Sequence, residues 1–202
     1  MKKIIVGITG ASGALLGERL VRFLLKAGHE VHVIISPSGV RVFKEELEIV
    51  LGQAYGDIKK NFSKHYQNHK RLFVAPADDF AAKISSGSAK IDAMVIAPCS
   101  MSTVGAIAHG ITLNLIHRAA SVSVKEKRPL ILVPRESPLS PIHLKNLLAL
   151  SEIGVHIVPA TTAFYHKPKT VEEMVDFTIG RVLDLLKIEH TLFKRWRGDE
   201  GE

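Results

Sequence analysis

An apolar run that ends in a glycine-rich turn is the feature of this sequence with the clearest chemical use. Residues 4–8 read Ile-Ile-Val-Gly-Ile, residues 9–13 read Thr-Gly-Ala-Ser-Gly, and residues 14–27 follow with the apolar spacing of an amphipathic helix. A glycine turn lets the backbone approach a ligand closely, and the helix behind it presents unpaired N–H groups and the positive end of its dipole. The segment therefore predicts a phosphate-binding loop, and a tight turn without a ligand is the alternative.

The spacing of the glycines narrows the kind of phosphate. Gly7, Gly10 and Gly13 form G-x-x-G-x-x-G, whereas dinucleotide-binding folds carry G-x-G-x-x-G. Those folds also place an acidic residue near the end of the second strand to hold the ribose. No such residue stands at the end of the second predicted strand, residues 30–35. The pattern favours a mononucleotide phosphate of the flavin type over NAD.

Hydroxyl groups and charged side chains follow the other predicted strands. In a parallel sheet the carboxyl ends of the strands share one edge, and ligands bind there. These groups suit hydrogen bonds to a phosphate or to the edge of a ring. The alternatives are helix N-caps for the hydroxyls and a surface ion pair worth ~0–1 kcal/mol for the charges. The groups are Ser36 after 30–35, residues 98–103 after 92–97, Arg135 and Glu136 after 130–134, and residues 161–165 after 155–158.

Strands and helices alternate along the chain, and this alternation positions those groups. Near-continuous apolar strands between helical segments indicate an α/β protein, a parallel sheet with helices on both faces. We expect one domain at 1–187 and a C-terminal tail at 188–202. The predicted strands are 3–8, 30–35, 72–75, 92–97, 130–134 and 155–158, and the predicted helices are 14–27, 39–51, 102–109, 113–126, 141–153 and 170–187.

Composition argues against several classes of function. The 202 residues include 27 Lys and Arg against 20 Asp and Glu, a net charge of +7. The basic residues are scattered, which does not favour a nucleic-acid groove and is compatible with anionic small ligands. No stretch approaches the ~20 apolar residues of a membrane span. The chain is therefore expected in the cytoplasm, without nucleic acid or membrane.

Cysteine and histidine usage gives little sign of metal or thiol chemistry. Cys99 is the only cysteine, so no internal disulfide and no cysteine-rich metal site is expected, as suits a reducing compartment. Packing is the favoured role of Cys99, and a nucleophile is the alternative. The ten histidines include no H-E-x-x-H pattern. No metal is expected.

Several stretches, taken together, resemble the flavin prenyltransferases, formerly described as aromatic-acid decarboxylases, of the flavin-binding decarboxylase-like superfamily. The likeness runs from about residue 3 to about residue 197. The matching stretches are 7–14 (Gly-Ile-Thr-Gly-Ala-Ser-Gly-Ala), Ser36, 98–103 (Pro-Cys-Ser-Met-Ser-Thr), 114–120 (Asn-Leu-Ile-His-Arg-Ala-Ala), 124–130 (Val-Lys-Glu-Lys-Arg-Pro-Leu), 134–139 (Pro-Arg-Glu-Ser-Pro-Leu), 163–168 (Ala-Phe-Tyr-His-Lys-Pro), Arg181 and Arg195-Trp196.

The resemblance implies a Rossmann-like (flavodoxin-like) domain that binds FMN and assembles as a dodecamer. Members of this family transfer a dimethylallyl group from dimethylallyl phosphate to N5 and C6 of reduced FMN, without a metal. The prenylated FMN then serves a separate non-oxidative decarboxylase in ubiquinone biosynthesis or aromatic-acid breakdown. The implied partners are therefore dimethylallyl phosphate, a flavin reductase, the downstream decarboxylase and further copies of the chain.

The resemblance also implies a role for individual residues. FMN would be held by Gly10, Ala11, Ser12, Ser36, Ser100, Met101, Ser102, Thr103 and Arg135. The substrate phosphate and prenyl group would be bound by Tyr165, Arg181, Lys125, Arg118 and Trp196, with help from Arg135. Glu136 would take part in proton transfer beside that phosphate, and Ser12 would lie near the reacting flavin edge. Glu46 matches a further acidic position of the site, for which a neighbouring subunit is an alternative source.

Two other functions stay open from the residues. One is an FMN-dependent decarboxylase of the same superfamily that acts on cysteine-containing peptides or conjugates. Such an enzyme needs a catalytic histidine after the first helix, and we assign none in that region. The other is a non-catalytic flavin carrier. A phosphate-binding set separate from the FMN residues favours prenyl transfer over both.

Overall fold

A six-stranded parallel sheet forms the centre of the computed structural model, which describes residues 1–196. The strands are β1 (Lys3–Ile8), β2 (Glu30–Ile35), β3 (Leu72–Pro76), β4 (Ala93–Cys99), β5 (Leu130–Pro134) and β6 (His156–Ile157). Their order across the sheet is β3-β2-β1-β4-β5-β6, and every neighbouring pair is parallel. This is the Rossmann order of doubly wound sheets, in which the connections reverse direction between β1 and β4 and open a ligand crevice there. The predicted α/β fold is confirmed.

Helices cover both faces of the sheet. They are α1 (Ala14–Lys26), α2 (Pro37–Leu47), α3 (Tyr55–His65), α4 (Met101–Ala108), α5 (Leu115–Lys125), α6 (Pro141–Glu152) and α7 (Val171–Leu185). One apolar core joins α1, α2, α3 and α7 to the sheet, with Leu20, Phe43 and Phe62 fully buried. The other core joins α4, α5 and α6 to the opposite face through residues such as Val104 and Leu115. Two cores on two faces explain why the strands are apolar on both sides.

The sequence prediction is wrong in three places. It leaves out α3, whose apolar side contains few residues beyond Ile58 and Phe62, so its helical period is weak. It places α2 at 39–51, whereas Ser36 caps a helix that begins at Pro37 and ends before Glu48, which is left-handed with φ 58°. It ends the fourth strand before Pro98, whereas β4 continues to Cys99 beside β5.

Residues 188–196, here called the C-terminal arm, fold back along α7. The rings of Phe193 and His190 lie against Gly180, where a Cβ would come within 2.4 Å of Phe193 Cε1. Phe193 also packs on Phe177, with ring centroids 4.8 Å apart. The arm is therefore docked on its own domain. The remainder of the predicted tail, residues 197–202, lies outside the described residues.

Helix α6 leaves much of its apolar surface uncovered. Among its residues only Leu150 is fully buried, while Ile142, Leu144 and Leu148 are more than half exposed. A helix that is apolar on its outer side is typical of a contact surface. In the described part of the chain, none of the helices has the length and apolar character needed to cross a membrane.

Candidate functional site

Thr9 joins the ends of β1 and β4 beneath the glycine loop, residues 9–13. Its buried Oγ1 donates to the Pro98 carbonyl at 2.8 Å and accepts from the Ser100 N–H at 2.8 Å. Its own N–H donates to the same carbonyl at 3.2 Å. The segments that start α1 and α4 are thereby fixed to one another. Sequence analysis missed this role, although a hydroxyl between two glycine positions was the available signal.

The glycine loop offers three consecutive free amides at this edge. The backbone N–H groups of Gly10, Ala11 and Ser12 form no hydrogen bond with any of residues 1–196. Gly10 allows the loop to lie against α2, because a Cβ there would come within 2.3 Å of Ser38 Cβ. Gly13 turns the chain into α1 with φ 109°, which strongly favours glycine. Unpaired amides beside a helix N-terminus fit a phosphate group.

Glu46 occupies part of the same helix N-terminus. Its Oε2 accepts from the N–H groups of Gly13 at 2.9 Å and Ala14 at 2.8 Å. Partial burial opposes its ionisation, but hydrogen bonds from the Ser12 hydroxyl and from these two amides, with the nearby charge of Arg135, lower the pKa of Glu46. In this structure the carboxylate comes from the same chain, and it leaves the amides of residues 10–12 for a ligand.

Two further helix N-termini meet at the same edge. Ser36 caps α2 by accepting from the Gly39 N–H at 3.0 Å, and Ser100 caps α4 by accepting from the Thr103 N–H at 3.4 Å. The Ser100 hydroxyl also lies 3.0 Å from that of Ser102. Both serines are thus N-caps, as the alternative interpretation has it. The positive ends of α1, α2 and α4 nonetheless converge beside β1, which favours an anion.

Arg135 and Glu136 lie at the carboxyl end of β5. Arg135 donates from Nε to the Ser12 carbonyl at 3.3 Å, and its backbone N–H donates to the Cys99 carbonyl at 3.3 Å. Glu136 is exposed and accepts from the Ser137 N–H at 3.0 Å. Within residues 1–196 these two side chains form no ion pair with each other. Arg135 therefore stands beside the glycine loop, and Glu136 follows it at the exposed carboxyl end of β5.

Lys125 and Arg118 lie on a different surface, against the segment 85–87. Arg118 donates from Nε to the Ser85 carbonyl at 3.1 Å. Lys125 is the last residue of α5, pairs with Glu126, and would meet a Cβ at Gly87 within 2.7 Å. Because α5 leads back to the start of β5, Lys125 lies toward the amino-terminal edge of the sheet. The structure does not bring it to the glycine loop of its own chain.

Tyr165, Trp196 and Arg181 form a third group beside α7. The Tyr165 ring lies edge-on to Trp196, with centroids 5.6 Å apart. Arg181 donates from Nη1 to Asp184 Oδ2 at 2.9 Å. It also lines an open cavity of about 610 Å³ between α7 and β6, together with Thr161, Phe177 and others. Arg181 therefore faces the sheet edge at β6.

A cavity beside α2 is lined by none of the predicted site residues. It measures about 780 Å³ and lies between α2, α3 and the end of β3. Ile35 and Pro37 on either side of Ser36 line it, with Arg41 and Asp78. It therefore adjoins the glycine-loop site across α2 without being part of it.

Three other groups show little reactive character. Cys99 is fully buried, and burial raises the pKa of its thiol far above the ordinary value, which agrees with a packing role. His29 lies between α1 and β2, where the sequence predicts a surface histidine and no catalytic one. Its Nδ1 accepts from the Lys2 N–H at 3.0 Å at the amino-terminal edge, away from the loop. Across residues 1–196 no group of three or more His, Cys, Asp or Glu side chains is arranged to hold a metal.

The chain is similar to known proteins over nearly its whole length. The Flavoprotein family model matches residues 1–192. The flavin prenyltransferase UbiX of Methanocaldococcus jannaschii is 47% identical over 194 residues, covering 96% of this chain and 98% of the relative.

Two crystal structures are similar over nearly the whole chain. One is AnUbiX (PadA1) in complex with FMN and dimethylallyl pyrophosphate, with a TM-score of 0.85 and 37% identity, covering 98% of this chain and 99% of that one. The other is a dodecameric FMN-dependent UbiX-like decarboxylase from Escherichia coli O157:H7, with a TM-score of 0.84 and 41% identity, covering 97% and 100%. The chain belongs to the Flavoprotein family and, within it, to the flavin prenyltransferases.

Proposed function

We propose that this protein transfers a dimethylallyl group from dimethylallyl phosphate to N5 and C6 of reduced FMN, forming prenylated FMN. The observation that carries the proposal is the set of free amides at residues 10–12, where three helix N-termini meet beside Arg135, in a chain of the flavin prenyltransferase family. Reduced FMN supplies the electron-rich N5 and C6 positions of the new ring. We take 1–187 as the FMN-binding domain and 188–202 as its tail.

The glycine-loop edge is suited to orient a flavin mononucleotide. The free amides of Gly10, Ala11 and Ser12 are donors for ligand oxygens, and the dipoles of α1, α2 and α4 favour a phosphate there. The hydroxyls of Ser36, Ser102 and Thr103 add short hydrogen-bonding groups at the same edge. Because Thr9 fixes the loop to the start of α4, these groups need little rearrangement on binding.

The positively charged side chains stabilise the phosphate that leaves the prenyl donor. Transfer breaks the bond between the allylic carbon and a phosphate oxygen, so negative charge develops on the departing phosphate. Guanidinium groups such as those of Arg135 and Arg181 stabilise that charge through paired hydrogen bonds. We propose that Glu136, which forms no ion pair with Arg135, passes the proton lost from the flavin to the phosphate. The balanced products are prenylated FMN and inorganic phosphate.

The three groups of predicted residues lie on three surfaces of one chain, so we infer that neighbouring copies complete each site. The glycine loop with Arg135, the patch with Lys125 and Arg118, and the face with Tyr165 and Arg181 would meet across subunit contacts. The exposed apolar side of α6 supports such contacts. The similar Escherichia coli protein is described as dodecameric, and we propose the same assembly here.

We also propose that the reaction needs no metal, that one enzyme supplies its flavin and another uses its product, and that it takes place in the cytoplasm. The reaction is proposed to proceed without a metal, because arginine and lysine side chains take the role that a cation would have at the departing phosphate. A flavin reductase would supply reduced FMN, and a separate non-oxidative decarboxylase would use the product. The proposed location is the cytoplasm, where the single thiol would stay reduced.

Mass spectrometry of the flavin tests the activity directly. The purified protein is incubated without oxygen with reduced FMN and dimethylallyl phosphate, and the released flavin is weighed. A gain of one C5H8 unit is expected. Bound but unmodified FMN, with both the monophosphate and the diphosphate donor, would contradict prenyl transfer and favour a flavin carrier or a related FMN-dependent decarboxylase.

Two substitutions test the residue assignment. Arg181→Ala and Glu136→Gln are expected to lower turnover at least about 100-fold, because each removes a group that acts as charge develops on the phosphate, while FMN stays bound. Lys26→Ala is the matched control, since it removes an exposed cation at the far end of α1. Full activity in both site variants would show that these residues do not carry the reaction.

A further inference from the structure

One carboxylate, Asp184, holds cations from both α7 and the C-terminal arm. Its Oδ2 accepts from Arg181 Nη1 at 2.9 Å and from Arg195 Nη1 at 3.2 Å. Its Oδ1 accepts from Arg195 Nη2 at 2.6 Å and lies 3.1 Å from His190 Nε2. Arg195 thus grips both oxygens, whereas Arg181 touches one. Both arginines bind the same carboxylate, but Arg195 binds it through two guanidinium nitrogens and Arg181 through one.

Because it forms fewer hydrogen bonds than Arg195, Arg181 is the arginine that can dissociate from Asp184. Only one of its nitrogens bonds within residues 1–196, and its side chain is half exposed on the open cavity between α7 and β6. If Arg181 turns away, the fork of Arg195 and the buried ring of His190 still balance the carboxylate. If Arg195 is absent, Arg181 becomes the only permanent cation on Asp184 among residues 1–196. The presence of Arg195 therefore determines how strongly Asp184 holds Arg181.

We propose that Asp184 is a reserve counter-ion for Arg181, and that Arg195 is a positioning residue that frees Arg181 to bind the phosphate of the prenyl donor. This inference rests on the proposed function, in which that phosphate is the ligand of Arg181. Phosphate and Asp184 compete for the same guanidinium, and Arg195 weakens the hold of Asp184. The arm thereby sets the affinity for the donor without touching the flavin.

The docked C-terminal arm positions Arg195 beside Asp184. Gly180 leaves the space that Phe193 and His190 fill, and Arg195 also lies over the Phe193 ring, 5.6 Å from its centroid. The next residue, Trp196, meets Tyr165. Arg195 is therefore presented to Asp184 from a seated arm. Trp196 is the only tryptophan of the chain, so its emission reports whether the arm is seated.

The test is a double-substitution cycle on the KM for dimethylallyl phosphate at saturating reduced FMN. Arg195→Gln is expected to raise that KM about fivefold, the worth of one partly exposed ion pair, and to change kcat less than about twofold. Asp184→Asn removes the competing carboxylate. In the double variant R195Q/D184N the KM is expected to return to within about twofold of the D184N value. Lys194→Gln, an exposed neighbour in the arm, is the control for lost charge.

The outcomes distinguish the exchange of Arg181 between Asp184 and the donor phosphate from a merely structural role of Arg195. An unchanged KM in R195Q, or a raised KM that D184N does not relieve, overturns the proposal. If Trp196 emission shows that R195Q unseats the arm, Arg195→Lys keeps the charge without the fork, and an intermediate KM with a seated arm is then expected. If the wild-type protein makes no prenylated flavin, the proposed function fails. Titration of Trp196 emission with dimethylallyl phosphate still measures the exchange in that case, with affinity in place of KM.

Discussion

The glycine loop and the C-terminal arm both serve a phosphate group in our proposal, yet the chain fixes them by different means. The loop is held by backbone groups and by buried Thr9, between β1 and β4 at the centre of the sheet. The arm is held by ring contacts with α7 and by ion pairs on Asp184. The loop leaves free donors, whereas the cations of the arm already have a protein partner.

This difference indicates a division of labour. A site whose donors are fixed in advance loses little freedom on binding, as suits a ligand that must be oriented accurately. A cation held by a surface carboxylate can be exchanged at small cost. The centre of the sheet is thus suited to orient FMN, and the edge is suited to admit and release a smaller anion.

The largest expected effect comes from adding a methyl group to the loop. In Gly10→Ala the new Cβ would lie 2.3 Å from Ser38 Cβ, so the loop or α2 must shift and the free amides move with it. We expect the Kd for FMN to rise at least about 100-fold, measured by flavin fluorescence. Gly56→Ala is the matched control, because its Cβ would enter open space. Equal FMN binding by the two variants would mean that the loop is not the phosphate cradle.

A smaller and separate effect is expected at the arm. In Gly180→Val the side chain would enter the place of the Phe193 ring, so the arm is expected to leave α7 and Trp196 emission to shift to longer wavelength. The KM for dimethylallyl phosphate should rise about tenfold while the Kd for FMN stays unchanged. Gly105→Ala, whose Cβ would meet only the end of the Asn146 side chain at 3.3 Å, serves as control. A loss of FMN affinity in G180V would contradict the proposal that the loop binds FMN while the arm affects only the prenyl donor.

The smallest expected effect is a pH dependence at the loop. Because the folded-state pKa of Glu46 is lowered from 4.5, its stabilising contribution is fully present above pH 4.5 and is lost as pH falls through the lower value. We expect a change in the free energy of unfolding below about 1 kcal/mol, since the partly exposed group is screened by solvent. Denaturation in urea from pH 6 to pH 3 measures it. Glu46→Gln should remove this dependence and Glu45→Gln should keep it; identical profiles would contradict the assignment.

The sequence predicts what periodic patterns and strand ends determine. Strands β1, β4 and β5 lie where apolar runs predict them because they are buried on both faces. The rule that carboxyl ends share an edge brings Ser36, Ser100 and Arg135 together. It misses α3, which is fixed by packing of Phe62 on Phe43 more than by its own period. Glu46 accepts hydrogen bonds from the N–H groups of Gly13 and Ala14 at the start of α1, and Arg195 donates to Asp184. No local sequence pattern specifies that these residues meet.

The free amides at residues 10–12 have a consequence for handling the protein. Donors that no group within residues 1–196 satisfies will take up whatever anion the solution offers, so phosphate or sulfate buffers become competitive inhibitors of cofactor loading. An affinity titrated in phosphate buffer would then be understated in proportion to the buffer concentration, by simple mass action. Loading in a buffer whose anion is too bulky for the loop gives the intrinsic value.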